Sequence, residues 1–231
     1  MPFPETQWTL LAEATLAGSP EGREALAELY RRYEQPVLSH IRRWVRDPEQ
    51  ARDLAQAFWL HLIEGRVWRR ADLARGRFRQ FLLTTLTHFL HDNFREKMTE
   101  KRGGKIEHMA LDPELLANSD EPHQSAAFDR DWAVCMLDRS LADLQLAFSA
   151  AHKEDLFNVL TKFLPGAEAT PSYDDAARMA GVSIDQMRVE IHRMRTKLRE
   201  LLRRQIAQTV ATPGQIDEEF TYLRTVLAGG R

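Results

Sequence analysis

The sequence contains very little cysteine, and it has no long apolar run. Of its 231 residues, Cys135 is the one cysteine, so a disulfide within the chain is excluded and a reducing cytoplasm is the expected location. The apolar surroundings of Cys135 indicate a buried structural thiol rather than a nucleophile. Neither a basic leader followed by an apolar stretch nor a segment of membrane-spanning length is found. We therefore expect a cytoplasmic protein with no membrane partner.

Enzyme motifs are also lacking. The sequence has no Gly-rich phosphate loop, no His-Glu-x-x-His and no serine in a nucleophile elbow. His88 and His91, together with Asp92, are conceivable metal ligands. All three lie on one predicted helix, and no ligand from a distant part of the chain completes a site. We expect no catalysis, no metal and no cofactor.

Charge is distributed in blocks, although the formal net charge is only −2. Residues 66–105 contain eleven Lys or Arg against four acidic residues, and residues 183–207 contain seven against three. Between them, residues 106–131 contain seven acidic residues and one Arg. Two basic blocks separated by an acidic one favour nucleic acid as a partner, with solvated helix faces as the alternative.

Apolar residues recur at helical spacing throughout, and no alternating strand pattern occurs. The prediction is an all-α fold of two small helical domains joined by a flexible acidic linker. The first domain spans residues 1–100, the linker 101–127, the second domain 128–207 and a helical extension 208–231. In the first domain we predict helices over 25–45, kinked or broken at Pro36, over 49–64 and over 77–97. In the second we predict helices over 128–148 and 153–164, followed by a helix pair.

The predicted helix 49–64 has an unusual outer side. Its inner face is apolar, whereas its outer stripe, about 100° wide, mixes polar and apolar residues. The members of this stripe are Asp53, Gln56, Ala57, Leu60 and Glu64.

Arginines alternate with aromatic residues across residues 66–95, a combination that suits single-stranded DNA because bases stack on rings while arginines neutralise phosphates. Helical spacing nevertheless predicts that most of the phenylalanines are core, and that only those near helix ends can face DNA. The aromatic residues concerned are Trp68, Phe78, Phe81, Phe89 and Phe94.

The last part of the second domain predicts a helix-turn-helix. Ser172 with Asp175 and Ser183 with Gln186 are helix-start signals, and Gly181 supplies the turn between them. Candidates for reading bases are Gln186, Arg188, Val189, His192 and Arg193, and candidates for phosphate contact are Arg195, Lys197 and Arg199. Asp185 and Glu190 would repel phosphate on this face. An amphipathic pair within an ordinary bundle is the alternative.

Three segments together resemble the sigma-70 family of RNA polymerase sigma factors, in particular the small extracytoplasmic-function (ECF) group. "ALAELYRRYEQPVLSHIRRWV" followed by "DPEQARDLAQAFWLHLIEG" is similar to the polymerase-binding helices of that family. "GRFRQFLLTTLTHFLHDNFREK" resembles the helix that melts and reads the −10 element. "SYDDAARMAGVSIDQMRVEIHRMRTKLRELL" is similar to the helix-turn-helix that reads the −35 element.

The resemblance implies a factor that binds core RNA polymerase and promoter DNA. Asp53, Gln56, Leu60 and Glu64 would dock on the clamp coiled coil of the largest subunit, and the flap would be a second contact. His88, Asp92 and Arg95 would lie where the family contacts the −10 element. The basic residues Arg77, Arg79 and Lys97 of the same predicted helix are further candidates for that contact. An anti-sigma factor or a protein kinase is compatible as a regulator.

The chain departs from the pattern of the family at its reading surfaces. His88 stands where the family often has Asn, and Glu96 and Glu100 interrupt its basic run. Asp185-Gln186-Met187 replaces the usual Gly-Thr-Val, so an unusual promoter sequence is expected. The extension carries Ile216, Phe220, Leu223 and Leu227, which predict a helix that packs on the second domain or on a regulator.

Two other interpretations remain open from the sequence. One is a helix-turn-helix regulator that binds duplex DNA and uses its first domain for oligomerisation or effector binding. The other is a helical scaffold without DNA contact. Charge changes at Asp53 and Gln56 discriminate between a sigma factor and the regulator, because they should abolish polymerase binding in a sigma factor and leave the DNA affinity of a regulator unchanged. The scaffold predicts little salt dependence of any interaction with nucleic acid.

Overall fold

The computed structural model describes residues 7–14, 19–64, 77–102, 122–167 and 169–229. Every regular element there is helical, which confirms the all-α prediction, and no helix of these residues is long and apolar enough to cross a membrane. The helices are α1 (Gln7–Ala14), α2 (Pro20–Trp44), α3 (Pro48–Glu64), α4 (Phe78–Arg102), α5 (Pro122–Ala150), α6 (Glu154–Leu160), a 3₁₀ helix (Thr161–Phe163), α7 (Tyr173–Ala180), α8 (Ile184–Ala207) and α9 (Gln215–Ala228).

The chain forms two compact units whose boundaries differ from the predicted ones. The first unit runs to Cys135 and resumes at Ile206, and the second comprises Met136–Gln205. The predicted boundary at residue 128 is wrong, because Trp132 stacks on Tyr33 of α2 with ring centroids 4.5 Å apart. Since α5 is one helix whose two halves belong to different units, no helix end or turn marks the boundary.

Helices overlap both ends of the predicted linker 101–127. α4 continues to Arg102 and α5 begins at Pro122, so the ends of this stretch are helical. Residues 103–121 lie outside the described residues.

Helix α2 continues through Pro36, so the predicted break does not occur. A proline inside a helix leaves the carbonyl four residues earlier without its usual N–H donor. That carbonyl belongs to Arg32, and it accepts a hydrogen bond from the Cys135 thiol at 3.2 Å. Cys135 therefore contacts the backbone of α2, and it is half-buried rather than buried as expected.

The C-terminal segment packs in the first unit, and the prediction that it packs on the second domain is wrong. The backbone N–H of Phe78, at the start of α4, donates to the carbonyl of Thr209 at 2.9 Å, and that of Gln7 donates to Gln208 at 2.8 Å. The first N–H groups of a helix have no partner within the helix. The carbonyls that follow α8 therefore accept from the first N–H groups of α1 and α4. The neighbouring side chains of Ile206 and Val210 are buried.

The second unit is built around the predicted helix pair. Its core joins the second half of α5 and α6 to the inner faces of α7 and α8, with Leu144, Leu160, Ala177, Met187, Ile191 and Met194 among its buried residues. Gly181 ends α7 with φ at 66°, a left-handed conformation that favours glycine. Residues other than glycine rarely adopt this conformation, yet His152, two residues after the end of α5, has φ 53°.

Candidate protein and nucleic-acid binding surfaces

The outer stripe of α3 is exposed as predicted. Asp53 and Gln56 are exposed, and Leu60 has 56% of its surface open to solvent. Leu54 and Phe58, on the other side of the helix, are buried against the core. The Glu64 side chain lies outside the description, so the structure brings together three of the four predicted residues.

A second exposed face lies on α4. His88, Asp92 and Arg95 follow the spacing i, i+4 and i+7, so they share one side of the helix, and all three are exposed. The core side of the same helix carries Leu86 and Leu90, which are fully buried. Lys97, also predicted for this surface, has a side chain outside the described residues.

Arg79 is placed differently from its prediction as a DNA contact. Its side chain is only 4% exposed, and its guanidinium donates to Glu219 of α9 at 3.0 Å and to Asp129 of α5. In this arrangement Arg79 is enclosed by carboxylates and is not exposed for the predicted contact with DNA. Arg77 is also engaged, with ion pairs to Glu218 at 3.2 Å and Glu219 at 3.1 Å.

The electrostatics of this cluster favour the charged arginine. Burial alone would lower the pKa of Arg79, but the charges of Glu219 and Asp129 raise it above its ordinary value. Tyr222 completes the cluster, because its hydroxyl donates to Asp129 and its ring lies 4.8 Å from the Arg79 guanidinium carbon. Burial and the bond to Asp129 raise the pKa of Tyr222, which keeps its hydroxyl protonated as a donor.

Most of the phenylalanines of α4 are core, as predicted. Phe78 and Phe94 lie near the two ends of the helix predicted over 77–97, but both are fully buried, so neither is free to face DNA. Phe94 stacks on Trp44 at 5.6 Å, whereas Phe81 is half-buried beside Trp8 at 4.9 Å. Trp68 lies outside the described residues. The described phenylalanines therefore stabilise the bundle rather than form a stacking surface.

Both predicted helix starts of the helix-turn-helix are present. The Ser172 hydroxyl accepts from the Asp175 N–H at 3.1 Å. The Ser183 N–H donates to the Gln186 side-chain oxygen at 3.0 Å, and the Ser183 hydroxyl accepts from the Gln186 N–H at 3.2 Å. This reciprocal pair fixes the entry into α8. Because the cap holds the oxygen of Gln186, contact with a base would use its amide nitrogen.

The outer face of α8 is exposed, and several of its charges are paired within the helix. Its exposed members are Arg188, Val189, His192, Arg193, Lys197 and Arg199. Asp185 pairs with Arg188 at 3.2 Å and Glu190 pairs with Arg193 at 3.0 Å, so the two carboxylates are compensated by neighbouring arginines. Ion pairs between residues three positions apart on a helix surface contribute only about 0.2–0.5 kcal/mol each.

Arg195 has a second role. Its guanidinium donates to the carbonyl of Phe163 at 2.6 Å, a contact that ties α8 to the end of the 3₁₀ helix. Arg195 is nevertheless exposed.

Comparison with known families bears on the first unit. Residues 29–99 match the family model of sigma-70 region 2. The region 2 segment extends from α2 into α4 and includes both the α3 stripe and the exposed α4 face. It covers less than half of the chain, and the helix-turn-helix lies outside it. No curated protein and no solved structure matches the chain significantly.

Two residues that hold the region 2 segment were missed by sequence reasoning. Asp129 and Glu219 lie beyond the segment, and both are buried. The sequence could have indicated Glu219, because this residue falls between Ile216 and Leu223 on the apolar stripe of α9. A carboxylate at such a position needs a buried partner. No comparable sequence pattern indicates the burial of Asp129.

Proposed function

We propose that the chain is a sigma factor of the ECF group, which directs bacterial RNA polymerase to specific promoters and initiates transcription. The observation that carries this proposal is the match of residues 29–99 to sigma-70 region 2, since it coincides with α2–α4 and their two exposed faces. The chain acts by binding polymerase and promoter DNA.

Polymerase docks on the α3 stripe. Leu60 is a large apolar side chain that is exposed to solvent on the same stripe as the polar residues Asp53 and Gln56. An apolar residue surrounded by polar groups suits a protein interface, because it loses contact with water on docking while its neighbours form directed bonds at the rim. The partner of this stripe is the clamp coiled coil of the largest subunit, and Glu64 extends the same side of the helix in sequence.

Promoter DNA is contacted in two places. The exposed face of α4, with His88, Asp92 and Arg95, meets the opened −10 element, and Lys97 follows it in sequence. The outer face of α8 enters the major groove at the −35 element, a role that suits an exposed helix following a capped turn. The flap is the polymerase contact of the second unit. Control by an anti-sigma factor or a kinase stays a prediction.

Binding to core polymerase tests the proposal. Asp53→Lys with Gln56→Lys places two positive charges on the stripe and should weaken the equilibrium affinity for core polymerase at least about tenfold, or about 1.4 kcal/mol. Glu24→Lys is the matched control, because it reverses an exposed carboxylate on α2. Duplex DNA binding by the second unit should be unchanged in all variants.

The same experiment separates the proposal from a duplex-binding regulator. If the unaltered chain does not bind core polymerase, or if the stripe variant binds as tightly as Glu24→Lys, the proposal is wrong.

A further inference from the structure

The C-terminal segment, residues 206–229, is joined to the first unit through backbone and side chains. The Thr209 carbonyl holds the first N–H of α4 through Phe78, and the Gln208 carbonyl holds that of α1 through Gln7. The Gln208 side chain also accepts from Arg32 of α2 at 2.9 Å. The segment therefore contacts three helices of the first unit before α9 begins.

α9 then completes a charge balance inside that unit. Two arginines at the start of α4, Arg77 and Arg79, meet two buried carboxylates, Asp129 from α5 and Glu219 from α9. Without Glu219, one buried carboxylate would remain for two arginines. A buried ionic group that loses one partner is strongly destabilising, because the remaining charge is neither hydrated nor compensated.

The position of this cluster links it to the proposed DNA surface. Phe78 and Arg79 lie in the first turn of α4, and the exposed face with His88 and Asp92 lies farther along the same helix. A helix transmits the placement of its first turn to its later residues, since its backbone is continuously hydrogen-bonded. Fixing the first turn of α4 therefore fixes where that exposed face is held.

We propose that Glu219 is a positioning residue for α4, and that α9 is an internal brace which promoter opening requires. This inference rests on the proposed function. Glu219 acts through Arg79 and does not touch DNA. Asp129 and Tyr222 belong to the same brace, since the Tyr222 hydroxyl orients Asp129 toward the arginine.

The opposite role, a cap that withholds arginines from DNA, fits the contacts less well. Arg79 is enclosed by Asp129 of α5 as well as by α9, so displacement of α9 alone would not deliver its guanidinium to phosphate. The brace and the cap predict opposite changes in promoter opening when the contact is weakened.

The test compares Glu219→Gln with Glu218→Gln in the full chain. The two glutamates are adjacent on α9 and both pair with Arg77, but the Glu219 side chain is 1% exposed and that of Glu218 is 68% exposed. Tyr222→Phe is a milder second variant, because it removes only the hydroxyl bond to Asp129 and keeps the ring over Arg79. It keeps the test conclusive if Glu219→Gln does not fold.

Two measurements are made on each variant. The first is hydrogen exchange in the first turn of α4, where the Phe78 amide bonds to Thr209. The second is the rate of promoter opening by the reconstituted polymerase, together with its affinity for the closed promoter.

Glu219→Gln should raise exchange in the first turn of α4 about tenfold and slow promoter opening, while closed-promoter affinity is kept. Tyr222→Phe should raise this exchange and slow promoter opening to a smaller extent. Glu218→Gln should leave the exchange and the rate of opening unchanged. Unchanged exchange would overturn the brace. Raised exchange with unchanged or faster opening would overturn the positioning role. If the unaltered chain does not open promoters, the proposed function fails, whereas the exchange result still decides the brace.

Discussion

Acidification should destabilise the first unit through one buried histidine, His40. Its side chain is fully buried, its Nε2 accepts from the Trp44 indole N–H at 3.3 Å, and Phe128 meets its ring edge-on at 5.7 Å. Burial, and secondly the positive charge of Arg43, lower the pKa of His40 from 6.5 to about 4. His40 is therefore neutral in the folded protein at pH values where it is already protonated in the unfolded chain.

The sign and size of the effect follow from this difference. Between pH 6.5 and about 4 the unfolded chain binds the proton and the folded chain does not, so the free energy of unfolding falls as the pH is lowered. The contribution of His40 to the free energy of unfolding is fully present above pH 6.5 and is lost progressively as the pH falls to about 4. At about 1.36 kcal/mol per pKa unit the full loss is about 3 kcal/mol, of which about 2.5 kcal/mol is lost by about pH 4.5.

Tryptophan fluorescence can follow the first unit alone, because all five tryptophans precede residue 136. Urea unfolding at pH 7 and pH 4.5 would compare the unaltered chain with His40→Gln, which keeps a hydrogen-bond acceptor and does not titrate. His88→Gln, at an exposed histidine of α4, is the control. On acidification His40→Gln should lose about 2.5 kcal/mol less stability than the unaltered chain, and His88→Gln should match the latter. Parallel losses in the unaltered chain and His40→Gln would refute the reasoning.

Further predictions concern both units. His152→Gly should stabilise the second unit and Gly181→Ala should destabilise it, each by about 1 kcal/mol, because both positions have positive φ; thermal unfolding followed by circular dichroism checks this, and equal signs would contradict it. Arg79→Met should destabilise the first unit by about 3–5 kcal/mol in urea, since it leaves two carboxylates buried; a loss below about 1 kcal/mol would show that the cluster is hydrated. Cys135→Ala should cost more stability than Cys135→Ser, because serine retains a donor for the Arg32 carbonyl; the reverse order in the same urea assay would exclude this role for the thiol. Arg199→Ala should reduce by about 1 the slope of log affinity against log salt for a −35 duplex; an unchanged slope would exclude a phosphate contact.

Local signals in the sequence predicted local structure well. Ser172 and Ser183 begin their helices with the predicted capping bonds, and Gly181 takes the left-handed conformation expected at the turn. Each of these depends on residues three or four positions apart. The exposed stripe of α3 was predictable for the same reason, because burial of Leu54 and Phe58 determines which side of the helix faces solvent.

Contacts between distant residues could not be read from these patterns. The basic character of Arg79 suggested a DNA contact, yet its partners lie 50 and 140 residues away in α5 and α9. The domain boundary was misplaced for a related reason, since α5 is one continuous helix while Trp132 packs in the first unit and later residues pack in the second. Periodicity identifies the buried side of a helix but not the neighbour that covers it.

Initiation by core RNA polymerase on a genomic promoter library tests the central claim most directly. Sequenced start sites with the unaltered chain should cluster downstream of one shared pair of elements, and Asp53→Lys with Gln56→Lys should remove those starts while Glu24→Lys keeps them. A set of starts no different from that of core polymerase alone would contradict the account.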